Sequence, residues 1–411
     1  MIVDSINSKK IFNSRREPTI EVEVKTKFGK SVASAPGGKS RGKHEAQPFS
    51  CRGIDFSLAF VNRIGKQLAL EKISFSVFSD LEKVEKIVRR YDKSKDWNLI
   101  GGNALYALEA ALLKAIALSE EKELWRFLDP KPKILPMPLG NCIGGGMHVR
   151  QTKKADFQEF LILPKTKTFF DAYFINLQAY KEAKKALLIE EKRLNLTDEN
   201  AFASTLNNEK ILSLLNSVKE KIKEKFDISL ELGIDAATSH FWDGKHYNYK
   251  NFPGNSSLTK DAQIEYISKL VSTYGLKYIE DPLEQEDFNG FSRLLKIFKE
   301  KNIKTLLTAD DLICTQYELL EKAIKEKSIN SVIIKPNQNG SLLDTKRVLD
   351  LAKKHDVKTV MSHRSGETFD DTIADLAVGW QCPLIKTGIL GRERFAKLNR
   401  LLKIERELKS K

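Results

Sequence analysis

The stretch LKYIEDPLEQEDFNGFSRLLKIFKEKNIKTLLTADDL, residues 276–312, holds two short apolar runs joined by a longer segment with helical spacing. Each run ends in an acid: LKYI runs into Glu280 and KTLLTA into Asp310. The same unit recurs on both sides. ISLELGI runs into Asp235, SVII into Lys335, VKTVMS into His363 and PLI into Lys386. Short runs rich in Ile, Val and Leu that alternate with helical segments predict buried parallel strands with crossover helices. In a closed β/α barrel the C-terminal strand ends converge on one face, and that face holds the active site. Three carboxylates, two lysines and a histidine then share a pocket. That inventory suits a hard divalent cation and a proton-abstracting base.

The chain ahead of this alternation has a different texture. Residues 1 to about 48 read as strands and turns, with TIEVEVKTKFG alternating up to Gly29 as an exposed hairpin. A loop rich in Gly, Ser and Lys follows in KSVASAPGGKSRGKHEA. From 55 to 128 the spacing is helical, and Asn103 is a candidate cap for NALYALEAALLKAIALSEEKELWRFL. The proline-rich DPKPKILPMPLG marks the boundary between a domain at 1–129 and a barrel at 130–411. Beyond it lie the glycine loop NCIGGGMH, a strand in FQEFLIL and a long helical pair between 169 and 225, interrupted near LTDENAFAS. The last helix, GRERFAKLNRLLKIEREL, carries an apolar stripe at Phe395, Leu398, Leu402 and Leu408. The fold class is therefore α/β, with a small N-terminal α+β domain followed by a β/α barrel.

Composition narrows the classes. With 411 residues, 41% hydrophobic and 30% charged, the chain can bury a large core and is not of a disordered type. No apolar stretch is long enough to span a bilayer, and the N-terminus lacks the pattern of a signal peptide. Cys51, Cys142, Cys314 and Cys382 are scattered and form no CxxC pair, which predicts reduced thiols in a cytoplasmic protein. The net charge of +14 is spread over helical segments mixed with Glu, without a basic block or interleaved aromatics. It predicts a lysine-rich surface and not specific nucleic-acid recognition.

Asp235, Glu280 and Asp310 come from three successive predicted strands, and an all-oxygen ligand set suits magnesium over zinc. Lys335 is a phosphate partner or a base. Positive charge nearby, from Lys386 or a metal, is expected to lower its pKa and make the neutral amine accessible. In MSHRSGET, 361–368, Arg364 offers a planar fork for phosphate and Ser365 a further donor.

These segments, with IEDP at 279–282, ADDL at 309–312, IKTG at 385–388, DFQEF at 156–160 and the N-terminal SRREPT, resemble the enolase family over nearly the whole chain. The resemblance implies a small α+β domain before a barrel with an irregular ββαα start, usually dimeric. It implies magnesium-dependent, reversible dehydration of 2-phosphoglycerate to phosphoenolpyruvate. A lysine base with metal ions on the enediolate is the known precedent in enolase-superfamily sites, not a deduction from these residues. Lys335 matches the base at carbon 2. Glu199, in TDENAFAS, matches the acid that protonates the departing 3-hydroxyl, and Glu159 stands beside it. Asp235, Glu280 and Asp310 match the first magnesium site and Lys386 the substrate carboxylate site. Arg364 and Ser365 match the phosphate site. His148 matches a histidine on a closing loop, while His363 and Gln158 belong to the same substrate-binding segments.

The departures fall on the closing loops. The family's PSGASTG is here PGGKSRG, 36–42, so Gly37 is expected to offer a second ion only its backbone oxygen. The loop gains Lys39, Arg41 and Lys43. Met147 and Asn200-Ala201 replace other loop residues of the family. A paralogue acting on another phosphorylated carboxylate, or a binding protein on the same scaffold, are the alternatives that these changes leave open.

Overall fold

The computed structural model describes every residue except Ser40, Arg150, 253–255 and Lys411. Its N-terminal part is a three-stranded antiparallel meander of Ser5–Phe12, Pro18–Thr26 and Gly29–Ser34. The predicted hairpin forms, but its apolar face is not exposed. Ile20, Val22 and Val24 are fully buried, because alternation turns them all to the side on which the helix Gly102–Ser119 packs. That helix is buried on nearly all sides, and its run of Ala and Leu suits a helix enclosed all round. Asn103 does not cap it. Gly101 occupies the cap position at φ 89°, and Asn103 lies one residue inside the helix. The Asn103 Oδ1 accepts from Asn337 Nδ2 at 2.9 Å, so its amide joins the small domain to the barrel.

Eight strands close the barrel, in the order Met137–Gly144, Glu159–Pro164, Leu230–Asp235, Tyr278–Glu280, Leu306–Ala309, Ser331–Ile334, Lys358–Ser362 and Leu384–Lys386, with the last pairing the first. The first two pair antiparallel, as do the second and third, and the remaining neighbours are parallel. Two strands followed by the helices Phe169–Glu190 and Asn208–Phe226 make the irregular start. The short pair Asn195–Leu196 and Phe202–Ala203 interrupts those helices where the sequence loses its periodicity. Leu139, Leu161, Tyr278, Ile333, Val360 and Leu384 pack together inside the ring as a solid core. The barrel therefore has no pore, and its chemistry is confined to the strand ends above that layer. Side-chain caps on Thr168, Asn207, Thr259, Asp287 and Ser341 start five of the helices and fix where each strand-to-helix loop stops.

Candidate active site

Each of the six charged residues predicted at strand ends stands at or just beyond the C-terminus of its strand. Together with loops from the small domain, Asp235, Asp310, Lys335, His363 and Lys386 line one cavity, which also takes in Glu45, His148, Gln158, Glu159, Glu199, Arg364 and Ser365, while Glu280 is fully buried against Lys386. Its free volume is only ≈ 40 Å³.

Lys386 occupies the centre of the floor. Its Nζ lies 3.0 Å from Asp235 Oδ2, 2.9 Å from Glu280 Oε2 and 2.9 Å from Glu159 Oε2. Burial acts to lower the Lys386 pKa, but Asp235, Glu159 and Glu280 together hold it well above the ordinary lysine value. Burial, with Asp235 adding to it, pushes Glu280 up to about 8. Tyr278 donates to Glu280 from below at 2.6 Å. Asp310 is fixed by Gln338 Nε2 at 2.9 Å and forms an ion pair with Lys335 Nζ. Here the structure departs from expectation. Burial does act to lower Lys335, and Arg364 adds to it, but the facing Asp310 together with Glu280 and the other surrounding groups leaves the ammonium above the usual lysine value.

The carboxylates suit a divalent cation. Asp235 and Glu280 already converge on one cationic point, the Lys386 ammonium, and every donor in the expected set is a carboxylate oxygen. Among the described residues, the all-carboxylate group whose oxygens approach closely enough to share an ion is Asp281, Asp310 and Asp311, while Asp235 and Glu280 are both bonded to Lys386. Asp281 is the second acid of IEDP. Its carboxylate accepts the backbone amides of Asp310 at 3.0 Å and Asp311 at 2.8 Å, which orients the neighbouring strand end.

Glu159 and Glu199 face each other across the cavity with His148, their ligating atoms within 4.8 Å. Their environments differ. Burial, little relieved by Lys386 and reinforced by Glu199, raises Glu159 far above the usual carboxylate range. Burial acts on Glu199 in the same direction, but His363 and His148 outweigh it and hold Glu199 far below that range. His363 Nε2 is 3.4 Å from Glu199 Oε2, and Asn141 Nδ2 donates to that oxygen at 3.1 Å. The two facing carboxylates are thus pushed in opposite directions, Glu159 toward its protonated form and Glu199 toward its charged form. Burial also lowers both His148 and His363. Gln158 lies beside this pair, its Nε2 3.5 Å from Asp235.

Arg364 lies at the far end. Its Nη2 donates to both oxygens of Glu45, at 3.1 and 2.8 Å, and its Nη1 to Asn337 Oδ1 at 3.3 Å. Ser365 Oγ accepts the amide of Lys39 at 2.9 Å. Buried Arg394 supports this turn through the carbonyls of Arg364 and Ser365. The loop that delivers Glu45 and Lys39 comes from the small domain and fits closely. A Cβ at Gly42 would sit 2.3 Å from Cys314 Sγ.

Gly37 is not brought into the cavity. It forms a bridge with Gly366, its amide donating at 2.7 Å and its carbonyl accepting at 2.8 Å. Its backbone oxygen is already engaged there. Ser40 of the same loop lies outside the described residues.

The arrangement pairs a basic lysine and an acid pair with a clustered carboxylate floor and a guanidinium–hydroxyl corner. Comparison with known proteins gives the same family in both halves. Residues 3–128 match the model of the enolase N-terminal domain, and residues 132–411 that of the enolase C-terminal TIM barrel domain. The chain belongs to the enolase family. It is 37% identical to an enolase of Methanosphaera stadtmanae, over 99% of this chain and 97% of the relative. It is 36% identical to enolases of Picrophilus torridus and Archaeoglobus fulgidus, covering 99% and 98% of this chain and 99% and 97% of those proteins. As an enolase-family enzyme it is a lyase of the hydro-lyase class.

Sequence reasoning missed Glu45, Asp281, Gln338 and Arg394. Two of them were within reach, since Asp281 adjoins Glu280 in IEDP and Gln338 follows Lys335. Glu45 and Arg394 carried no local signal, because the groups they serve lie far away in the chain.

Proposed function

We propose that this cavity carries out the reversible dehydration of 2-phosphoglycerate to phosphoenolpyruvate, with roles distributed along its length. The observation that carries this reading is the placement of Lys335, Lys386, Glu159, Glu199, Arg364 and Ser365 around one small enclosed space. Arg364 and Ser365 bind the phosphate at one end, where a planar fork and a hydroxyl meet. Lys386 and Gln158 hold the carboxylate. Lys335 takes the proton from carbon 2, and the electron pair of that C–H bond moves into the carboxylate as an enediolate. The carbon–oxygen bond at carbon 3 then breaks, and the departing hydroxyl leaves as water with the proton of the Glu159–Glu199 pair: Glu159, pushed toward its protonated form, supplies it, and Glu199, the acid of the pair, delivers it to the leaving oxygen. His148 and His363 set the charge on that pair and close the cavity over it.

Asp235, Glu280 and Asp310 are the residues that would hold magnesium. A cation held there would supply positive charge to the developing enediolate, and Asp310, shared with it, would hold the proton on Lys335 less strongly. Glu159, Glu199, Asp235 and Lys386 are buried, which supports charges that are weakly screened and act strongly on a bound substrate.

The same reading includes a domain boundary at 129/130, a cytoplasmic location and a homodimer or higher homo-oligomer. A cytoplasmic enzyme agrees with a chain in which no described helix is long and apolar enough to cross a membrane. The test is direct. Purified protein with magnesium chloride and 2-phosphoglycerate should give rising ultraviolet absorbance from the enol product, and a flat trace with active controls would reject the reading.

A further inference from the structure

Lys39 is the cation that the small domain's loop contributes to the cavity lining. Its surroundings differ from those of the other cavity cations. Lys386 is enclosed by buried Asp235, Glu159 and Glu280, Lys335 is paired with Asp310, and Arg364 is clamped by Glu45. The Lys39 ammonium instead reaches a carboxylate nearer the rim, Asp198 Oδ2, at 3.5 Å. Charge-assisted contacts of this kind normally close to about 2.7–2.9 Å, so this one is loose. Asp198 does not depend on it, because Arg15 Nη1 holds the same oxygen at 3.2 Å.

The backbone of the residue is placed differently from its tip. The Lys39 amide donates to Ser365 Oγ, at the corner proposed for the phosphate, while the ammonium lies beside the residue that precedes Glu199. The side chain thus spans the cavity from its phosphate end toward its acid pair. A flexible four-carbon stem lets the ammonium turn between these ends without moving the backbone. Space also demands a rearrangement. The free volume of ≈ 40 Å³ has room for a few waters, each needing roughly 10–15 Å³ on the same measure, and a phosphorylated three-carbon acid is larger than that. Occupants of the mouth must therefore give way, and the contacts of Lys39 with Ser365 and Asp198 lie at that point.

Charge argues in the same direction. The cavity lining carries Glu45, Glu159, Glu199, Asp235, Asp281, Asp310 and Asp311 against Lys39, Lys335, Arg364 and Lys386. A multiply charged anion entering it needs a positive group whose own carboxylate partner can be released cheaply. At the mouth, burial, Lys250 and Lys39 together hold Lys154 below the ordinary lysine value, so these ammonium groups feel one another and favour an arriving anion.

We propose that Lys39 is a specificity-determining residue that touches substrate: its ammonium exchanges Asp198 for the phosphate group of the bound acid. The proposal rests on the reading of the site as a phosphorylated-acid dehydratase. Steady-state kinetics with 2-phosphoglycerate over a series of potassium chloride concentrations test it, using wild type, Lys39→Gln and Lys39→Arg. Loss of one cation at the phosphate should raise KM about tenfold with kcat held within about threefold. It should also flatten the fall of kcat/KM with salt, and Lys39→Arg should restore most of both. An unchanged KM and salt slope in Lys39→Gln overturns the proposal, as does a fall in kcat at constant KM. If the wild type fails to turn over 2-phosphoglycerate, the functional reading falls separately. Calorimetric titration with inorganic phosphate then decides on Lys39: weaker binding by Lys39→Gln supports the contact, and equal binding rejects it.

Discussion

Arg364 at the end of a barrel strand is clamped by both oxygens of Glu45, a residue 319 positions earlier in the chain, at 3.1 and 2.8 Å. Both side chains are about 5% exposed. The small domain's loop thus presents a carboxylate to the guanidinium proposed to bind phosphate. Glu45→Gln leaves that guanidinium buried with one charge-assisted pair missing. Breaking a buried pair from one side typically costs about 3–5 kcal/mol, so thermal unfolding should occur at a clearly lower temperature. Inorganic phosphate restores the missing negative charge. It should therefore raise the melting temperature of Glu45→Gln more than that of the wild type, and equal shifts would separate Glu45 from the phosphate corner.

Lys335→Ala removes the proposed base while its strand, Ser331–Ile334, stays buried in the barrel wall. Turnover should fall by about a hundred- to ten-thousandfold or more. Solvent-deuterium exchange at carbon 2 of 2-phosphoglycerate should vanish with it. A variant that keeps the exchange would move the base role to another residue.

Glu199→Gln should separate the two half-reactions. The base remains, so exchange at carbon 2 should persist while dehydration stops. Parallel loss of both would show that Glu199 also shapes the site around Lys335.

Chelation and refilling test the carboxylate floor without relying on turnover. Magnesium that binds the folded state alone stabilises it by mass action, about 2.7 kcal/mol at one hundred times the dissociation constant. The melting temperature of the chelator-treated protein should rise with added magnesium. In Asp235→Asn and Glu280→Gln the rise should be much reduced. A full rise in both variants would place the ion elsewhere.

Acid stability should depend on a second join between the domains. Lys114, on the helix Gly102–Ser119, pairs with Asp370 at 3.0 Å ahead of the helix Thr372–Gly379. Burial acts to raise Asp370, but Lys114 and the hydrogen bonds from Thr372 together outweigh it and hold the group below its ordinary 3.8. A depressed folded pKa gives stability that is complete above the unfolded value and lost as pH falls through the folded one. Burial acts to lower Lys114, but Asp370 outweighs it and keeps the lysine above 10.5, so its share is lost only as pH rises beyond that value. Lys114→Met should cost about 3 kcal/mol at neutral pH by leaving Asp370 buried without its cation. The deficit should shrink in acid and vanish only as pH falls below 3.8 through the depressed folded pKa of Asp370, where the wild-type carboxyl is protonated too. Denaturant unfolding of both proteins across pH measures this, and a deficit that does not change with pH would remove the pair from acid stability.

The barrel and most of its floor were legible before any coordinates. A short apolar run that ends in Asp235, Glu280, Asp310, Lys335, His363 or Lys386 is a local pattern, and barrel closure places every such end on one face. Local periodicity also found the helices, though it set Asn103 at a cap where Gly101 serves, because a buried contact to Asn337 claims the side chain. What each charged group faces is not a local property. Lys386 among three carboxylates, Lys335 raised by Asp310, Glu159 raised while Glu199 is lowered, and Gly37 bonded to Gly366 all arise between elements far apart in sequence. The sequence by itself determined which residues reach the face of the barrel, since strand period and chain direction are encoded residue by residue. Only the tertiary structure decided their charge and partners, since in a buried, weakly screened site these depend on distances across space that no spacing along the chain records.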